Sequence, residues 1–552
     1  MFTKVRTIMR NIRNYTLTIL LAAVAALVFS GCNRGPKEKG IEGMAGMVPS
    51  HVLSFFALDI RGTKNWNDFR EGYKQHGDHP ELKAQFEVLD GQLGCKTEDL
   101  VAGIEPAGWV VVLDAGGKGE FSDASAVGAF VVRDKTRAQA CVKDLADQTE
   151  PKVSQSGELT IETYPNHFSA CFHGGFVYLA TNEAGLKSVI EHSGEKLSQK
   201  AEFQEARGRI EDGKSDLFGF MPVGELIGFV AQTKADLDNL GYLASGMNSD
   251  LSKKVQVYMS VRDSDSPLGQ ALLKSPENSG NLAKVVPQDW VFYMMNHLGY
   301  QLRVGAEICR KSPEGQEVLD EMSVALSNMD TSFEELDRTF TGEMALSLDL
   351  EDYFSGIPQA PPNGTLAFGL KDSKLFQQVW AKMCKAGGIT PQTKTRDGVR
   401  VDSFKGLPNL KLLQVEKPHP TVMLVFGATP AEVVAEVNGI PEGKSLGDLP
   451  AVKSRINPSN FFTLYYQLQK TMEQLGATGL LSLAPETQGI QSAIEHNKDK
   501  GWMWNGQMSL RVDKGGLMAD GDNMTILMSG VMTGAFIYGA LEGVGALPAD
   551  AE

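Results

Sequence analysis

The chain has 552 residues, 42% apolar and 22% charged, with a formal net charge of −15 at pH 7. This apolar share supports packed cores and excludes a wholly disordered chain. The acidic balance excludes a nucleic-acid binder that works through a basic face, and 6 Cys are too few for a disulfide-dense scaffold.

At about 150 residues per domain, the length allows two to four domains. The first segment, Met1–Asn14, carries Lys4, Arg6, Arg10 and Arg13 and no acid; Leu17–Phe29 follows and is apolar except for Thr18. That run is short for a bilayer span, which needs about 20 residues. Basic then apolar is the order of a secretory signal. The run ends Val28-Phe29-Ser30-Gly31-Cys32, with Phe29 where Leu is usual. This ending resembles the bacterial lipobox, in which a small residue and Gly precede a Cys that is lipidated and becomes the mature N-terminus. The resemblance implies a signal peptide over 1–31 and attachment to a membrane through lipid on Cys32. It places the protein in the bacterial cell envelope. Asn33 is not the Asp that retains lipoproteins at an inner membrane, so the destination is a periplasm-facing outer membrane or the cell surface. Residues 1–31 carry four basic groups and no acid, so their removal leaves 521 residues and shifts the charge from −15 to −19. Such a globule gains nothing from an anionic membrane surface, and the lipid carries the attachment. Residues 32–47 lack any period, are rich in Gly and charge, and read as a flexible tether.

From residue 48 the text repeats. Val48-Pro49 and Val286-Pro287 each open an apolar run, 238 residues apart. Ala129-Phe130 with Asp134 and Ala367-Phe368 with Asp372 repeat at the same distance of 238. Between them, Glu98-Asp99-Leu100 corresponds to Glu334-Glu335-Leu336. Further on, Ser215–Phe218 echoes Ser459–Phe462 at 244, and Val257–Arg262 echoes Gly506–Arg511 at 249. A slowly growing offset is what small loop insertions produce. The order of these anchors predicts two homologous modules, 48–285 and 286–530.

In the first module, Val110–Leu113 and Val127–Val132 read as strands of a hairpin. Asp134 caps a helix to about Asp147. Leu159–Thr163 is a strand, and Phe168–Phe172 and Phe176–Thr181 flank the turn His173-Gly174-Gly175. Asn182 caps a helix over Glu183–Glu191. The predicted fold class is α+β, each module an antiparallel sheet with helices packed on one face. The order of a Val-Pro strand, an Ala-Phe-x3-Asp strand–helix, a hairpin, and a helix capped at Asn182 or after Thr429-Pro430 resembles bacterial envelope lipoproteins grouped only as domains of unknown function. The resemblance covers most of the mature chain and implies no activity.

Catalytic motifs fail on inspection. Gly443-Lys444-Ser445 lacks the earlier Gly in register and the preceding strand of a phosphate loop. Ser193-x-x-Lys196 has neither Lys-Thr-Gly nor Ser-Asp-Asn beside it. His76, Asp78 and His79 are weak metal candidates without a further ligand at helical or turn spacing, and read better as a polar turn. His173 and His419 fall in turns. Asp520-Gly521-Asp522-Asn523 lacks the Glu of a calcium loop and reads as a tight turn. No motif implies a cofactor. Beyond Cys32 there are Cys95, Cys141, Cys171, Cys309 and Cys384, an odd number without Cys-x-x-Cys. They read as small buried hydrophobes, with Cys141–Cys171 the nearest pair able to bridge a helix to a hairpin. Residues 525–547 read as an apolar C-terminal helix. Its Gly530, Gly534, Gly539 and Gly543 have the spacing of close helix contacts, on the second module, on a partner, in self-association or at a membrane.

The reading that follows is a non-enzymatic envelope lipoprotein that binds or scaffolds. Two alternatives stay open. One is a carrier or chaperone for lipid or outer-membrane protein, with an apolar groove between the halves. The other is a hydrolase or metal-dependent enzyme using scattered acids and His76 or His79.

Overall fold

Runs such as Val110-Val111-Val112-Leu113 and Ala129-Phe130-Val131-Val132 are apolar at consecutive positions. Successive side chains on a strand point to opposite faces, so these strands present apolar groups on both. The computed structural model describes residues 40–61, 63, 90–91, 94–114, 124–165, 168–210, 215–223, 240–247, 255–290, 292–310, 313–349, 363–396, 398–427, 430–441, 443–453, 456–467 and 505–521. The chain divides into two compact units, Met1–Arg262 and Asp263–Glu552. Both combine helices with antiparallel strands, an α+β fold.

In the first unit, α1 (Gly40–Ala45) precedes β1 (Val52–Asp59), α2 (Thr97–Gly103), β2 (Ile104–Asp114), β3 (Ala124–Val132) and α3 (Lys135–Leu145). Next come β4 (Lys152–Ser156), β5 (Leu159–Thr163), β6 (Ser169–His173), β7 (Phe176–Ala180), α4 (Glu183–Ile190) and α5 (Ala201–Arg209). The last three strands are β8 (Leu217–Pro222), β9 (Leu240–Met247) and β10 (Val255–Val261). Every pairing is antiparallel, in the spatial order β4-β5-β6-β7-β3-β2-β1-β8-β9-β10.

In the second unit, α6 (Pro267–Leu273) leads to β11 (Phe292–His297), then α7 (Leu298–Cys309), α8 (Pro313–Asn328), α9 (Phe333–Thr339), β12 (Phe340–Asp349), β13 (Asn363–Leu370) and α10 (Ser373–Ala386). The strands β14 (Gln392–Arg396), β15 (Val399–Phe404), β16 (Leu407–Val415) and β17 (Thr421–Phe426) follow. The chain continues through α11 (Pro430–Asn438), α12 (Pro450–Lys453), β18 (Asn460–Gln467), β19 (Asn505–Asp513) and β20 (Gly516–Gly521). Its spatial order is β14-β15-β16-β17-β13-β12-β11-β18-β19-β20, strand for strand that of the first unit.

Local chemistry starts the same helices in each unit. Asp134 accepts from the Thr136 and Arg137 amides at 2.9 and 3.2 Å, and Asp372 accepts from the Lys374 and Leu375 amides at 2.8 and 2.9 Å. These donors have no partner within the helix, so each cap is worth about 1 kcal/mol. Asn182 accepts from the Gly185 amide at 2.7 Å to start α4. Gly174 and Gly175, at φ +59° and +84°, make the tight turn between β6 and β7.

Helices cover both faces of each sheet, not one. Val142 and Ala146, in and just after α3, pack with Val110, Phe130 and Val177. Val127, Val111, Phe55 and Phe220 lie side by side in register on the opposite face. There Phe203 of α5, fully buried, meets Phe55, Phe218 and Phe220 edge-on at 5.7, 5.6 and 5.5 Å between ring centres. In the second unit, Phe376 of α10 packs with Phe340, Phe368 and Val422, whereas Val433 and Val437 of α11 pack with Ala367, Met423 and Val425. Phe368 and Ala367 are neighbours on one strand and face opposite ways. The one-faced sheet expected from sequence fails because the central strands do not alternate apolar with polar and need cover on both sides.

The unit boundary also differs from the expected 285/286. Residues 263–285 join the second unit because the Leu272 carbonyl accepts from the Tyr300 hydroxyl at 2.9 Å and the Asn278 amide donates to the Asn460 carbonyl at 3.3 Å. The first strand in each order is polar: β4 is Lys-Val-Ser-Gln-Ser and β14 is Gln-Thr-Lys-Thr-Arg. Each pairs on one side among the described residues, with β5 and β15.

Phe203→Ala removes the ring on which three aromatic edges converge. It should cost about 3–5 kcal/mol, read as a lowered urea midpoint of the first unit; a midpoint within error of the parent contradicts the packing.

Candidate functional site

The apolar pattern breaks where β2 and β12 begin. The register of β2 on β3 slips between Ile104 and Gly108, and that of β12 on β13 slips between Phe340 and Met344. A slip of this kind aims a side chain out of the ladder. Each bulge buries one carboxylate, Glu105 and Glu343, both 2% exposed.

In the first unit, Asp59 ends β1 opposite Ala107. Its carboxylate accepts two bonds from the Arg61 guanidinium, at 2.8 and 2.7 Å, and one from the Gly40 amide at 3.0 Å. Arg61 is thereby held firmly protonated by Asp59. Oε1 of Glu105 is buried and has no hydrogen-bond partner among the described residues. Burial pushes the Glu105 carboxyl above the ordinary range, against the opposing pull of Arg61 and Arg133.

In the second unit, Glu343 is saturated. It accepts from the amide and the hydroxyl of Ser279, the hydroxyl lying 3.0 and 2.9 Å from its two oxygens, and its Oε2 accepts from Thr341 at 3.4 Å. His297, 6% exposed, stands opposite Glu343 in the ladder. Its Nδ1 accepts from the Tyr300 amide at 3.1 Å and caps α7. Its Nε2 is buried without a hydrogen-bond partner among the described residues. Burial holds this imidazole below its ordinary pKa, with Arg303 and Lys371 pulling the same way. Gly342, at φ +90°, makes room for it: a Cβ there would lie 2.7 Å from the imidazole Cε1. A third buried acid, Asp402, accepts from Trp380 at 3.0 Å, Thr393 at 2.6 Å and Arg400 at 3.2 Å. Glu343 and Asp402 are thus occupied by fixed donors, and Asp402 ties β15 to α10 through Trp380; Oε1 of Glu105 is not so occupied.

A second feature is apolar. Met294, Leu346, Leu366, Leu424 and Leu412 lie side by side across β11, β12, β13, β17 and β16, and Leu464 of β18 extends the row beyond Met294. All six are partly exposed. The row lies on the face opposite the α11 core. By contrast, the groove along α8 lined by Pro313, Gln316, Asp320 and Val324 is an open face of a single helix.

The residues singled out from sequence fare differently. Cys32, His76, Asp78, His79 and Gly530, Gly534, Gly539 and Gly543 of the 525–547 segment lie outside the described residues, and among the described residues no three His, Cys, Asp or Glu side chains gather as metal ligands. The Lys196 ammonium donates to the His192 carbonyl at 2.6 Å. Ser445 donates to Asp448 at 2.6 Å and caps a short 3-10 turn. Asp520 is in β20, paired with Arg511, not in a turn. A turn at Lys514-Gly515 joins β19 to β20, and Asp522 and Asn523 lie outside the described residues.

Cys141 and Cys171 do not meet. Cys171 stands opposite Tyr178, which stands opposite Ala129, on the α4 face of the sheet, whereas α3 carries Cys141 on the Phe130 face. Cys141 instead neighbours Cys95. Glu105, Glu343 and His297 were not anticipated, although a Glu-Pro within an apolar strand was a usable signal for the first.

No protein-family model matches the chain, and no curated protein matches it. Among solved structures, crystal form I of TP0453 aligns at 11% identity over 40% of this chain and 79% of that one, with a TM-score of 0.24, too low to carry an argument about fold.

Glu105→Gln tests the buried acid. A carboxyl with a raised folded pKa supports the fold most below its unfolded pKa, and that support is lost as pH rises through the folded value. The Gln variant should therefore be more stable than the parent at pH 7, with the gain vanishing below about pH 4. Urea midpoints across pH measure this, and a gain that grows toward acid contradicts it.

Proposed function

We propose that this is an exported, lipid-anchored envelope protein built by duplication of one α+β module, and that it binds or scaffolds instead of catalysing. The observation that carries the duplication is the shared order of ten strands in each unit. Small details support it. Pro49 bridges to Lys196 as Pro287 bridges to Ser445. The Leu197 amide donates to the Val48 carbonyl, and the Leu446 amide to the Val286 carbonyl, both at 2.8 Å. The anchor rests on the basic-then-apolar start and on Ser30-Gly31-Cys32. The binding role is favoured by Glu343 and Asp402, buried acids already occupied by fixed donors.

Expression in a two-membrane bacterium tests the anchor. The parent should fractionate with membranes, and its N-terminal peptide should begin at Cys32 with acyl mass attached. Cys32→Ala should lose the acyl mass and leave the membrane fraction; retention at membranes with an unchanged peptide mass overturns the anchor.

A second reading, a carrier of lipid acyl chains, is favoured by the partly exposed row from Leu412 to Leu464. Six aligned, partly exposed apolar side chains beside α10 match a chain of methylenes, each worth about 0.8 kcal/mol when buried. Cys32→Ala protein purified without detergent should then show lipid adducts by native mass spectrometry, and Leu366→Asp should reduce them at least tenfold. A single bare mass for the parent refutes this reading.

A further inference from the structure

Two cysteines of the first unit lie together where the chain before α2 packs on α3. Cys95 is 5% exposed and Cys141 1% exposed. Cys95 lies two residues before α2, and Cys141 lies on the buried side of α3 with Ala138 and Val142. The two helices approach closely: a Cβ at Gly103, the last residue of α2, would lie 2.5 Å from the Ala138 amide nitrogen. The chain just before α2 crosses the end of α3, since a Cβ at Gly94 would lie 3.8 Å from Leu145 Cδ2. This crossing is held on each side of Cys95. The Gly94 amide donates to the Asp90 carbonyl at 2.9 Å, and the Thr97 amide donates to the Asp90 carboxylate at 2.6 Å. Arg137 of α3 then grips Asp99 of α2 at 2.6 Å. Within this clamp the two cysteine side chains are neighbours. In the second unit the positions matching Cys95 and Cys141 carry Thr331 and Val379, and Lys382 of α10 binds Glu335, the counterpart of Asp99, at 3.0 Å.

We propose that Cys95 and Cys141 are a built-in redox pair that closes to a disulfide, fastening the start of α2 to α3. The oxidant is a disulfide, either a small molecule or an exchange protein. One cysteine, as thiolate, attacks the donor disulfide to give a mixed disulfide and releases one donor thiol. The second cysteine, as thiolate, then attacks the sulfur of the first and releases the other donor thiol. Two thiols and one disulfide become one disulfide and two thiols, and two electrons pass from the protein to the donor. Burial and the adjacent sulfur keep the Cys141 thiol protonated, so exchange requires the α2 end to open and is slow in the folded protein. The reaction needs only a disulfide donor, whichever compartment holds the chain, and so stands apart from the anchor at Cys32.

The test uses the purified full chain incubated with glutathione disulfide, alkylated without reduction and digested. A single linked peptide containing Cys95 and Cys141 is expected, about 2 Da lighter than the two reduced peptides together, with Cys171 and Cys384 alkylated. The linked peptide should also form in Cys171→Ser. Closing the bridge should raise the unfolding temperature of the parent, a rise that dithiothreitol reverses and that Cys95→Ser lacks. Alkylation at both Cys95 and Cys141 after prolonged exposure, or linkage of either one to another cysteine, overturns the proposal.

Discussion

The architecture depends on the double-sided burial of the central strands β3, β2 and β1 and of their counterparts β13, β12 and β11. Val110 and Val111 are neighbours in sequence and point to opposite faces, yet both are buried. At about 25 cal/mol per Å² of apolar surface, neither face can be left open without losing several side chains' worth of stabilisation. The helices are therefore divided. The one that follows β3 or β13 returns over one face, and those that follow β7 or β17 return over the other. Close approach follows, and with it the small residues at contact points: a Cβ on Gly185 of α4 would come within 2.8 Å of Ser125.

The bulges mark where this burial meets its limit. Each sheet needs an exit for the chain between helix and strand, and a carboxylate is buried at both exits. The second unit resolves the conflict by saturating Glu343 with Ser279 and Thr341. The first keeps an ion pair, Asp59–Arg61, beside a Glu105 that lacks a close donor at one oxygen. The two exits are thus alike in backbone and differ in how their carboxylates are partnered.

Much of the local structure was legible because it is governed by residues near in sequence. Asp134 and Asn182 each cap the helix assigned to them, and Leu159–Thr163 and the Gly174-Gly175 turn fall where the pattern puts them. The features that failed depend on which face a residue occupies. The sequence distance between Cys141 and Cys171 is short, but a sheet lies between them. Cys95 is farther along the chain from Cys141 and is its neighbour. Asp520 reads as part of a turn because it sits among Gly, Asp and Asn, yet its place opposite Ser509 in the β19–β20 ladder keeps it in a strand. The buried acids escaped notice for a related reason: a lone Glu in a strand reads as solvent-facing until a register slip turns it inward.

The polar strands β4 and β14 have a consequence for crowding. Molecules hung from one surface meet at far higher local concentration than the same molecules in free solution, and open strand edges are the groups by which sheets join. Both of these strands are five residues long and rich in hydroxyls and amides, with Lys152 on β4 and Lys394 and Arg396 on β14. Two such edges brought side by side set cation against cation and hydrated side chains against each other. Edges of this composition give copies of the chain little to gain by joining strand to strand, however closely they are crowded.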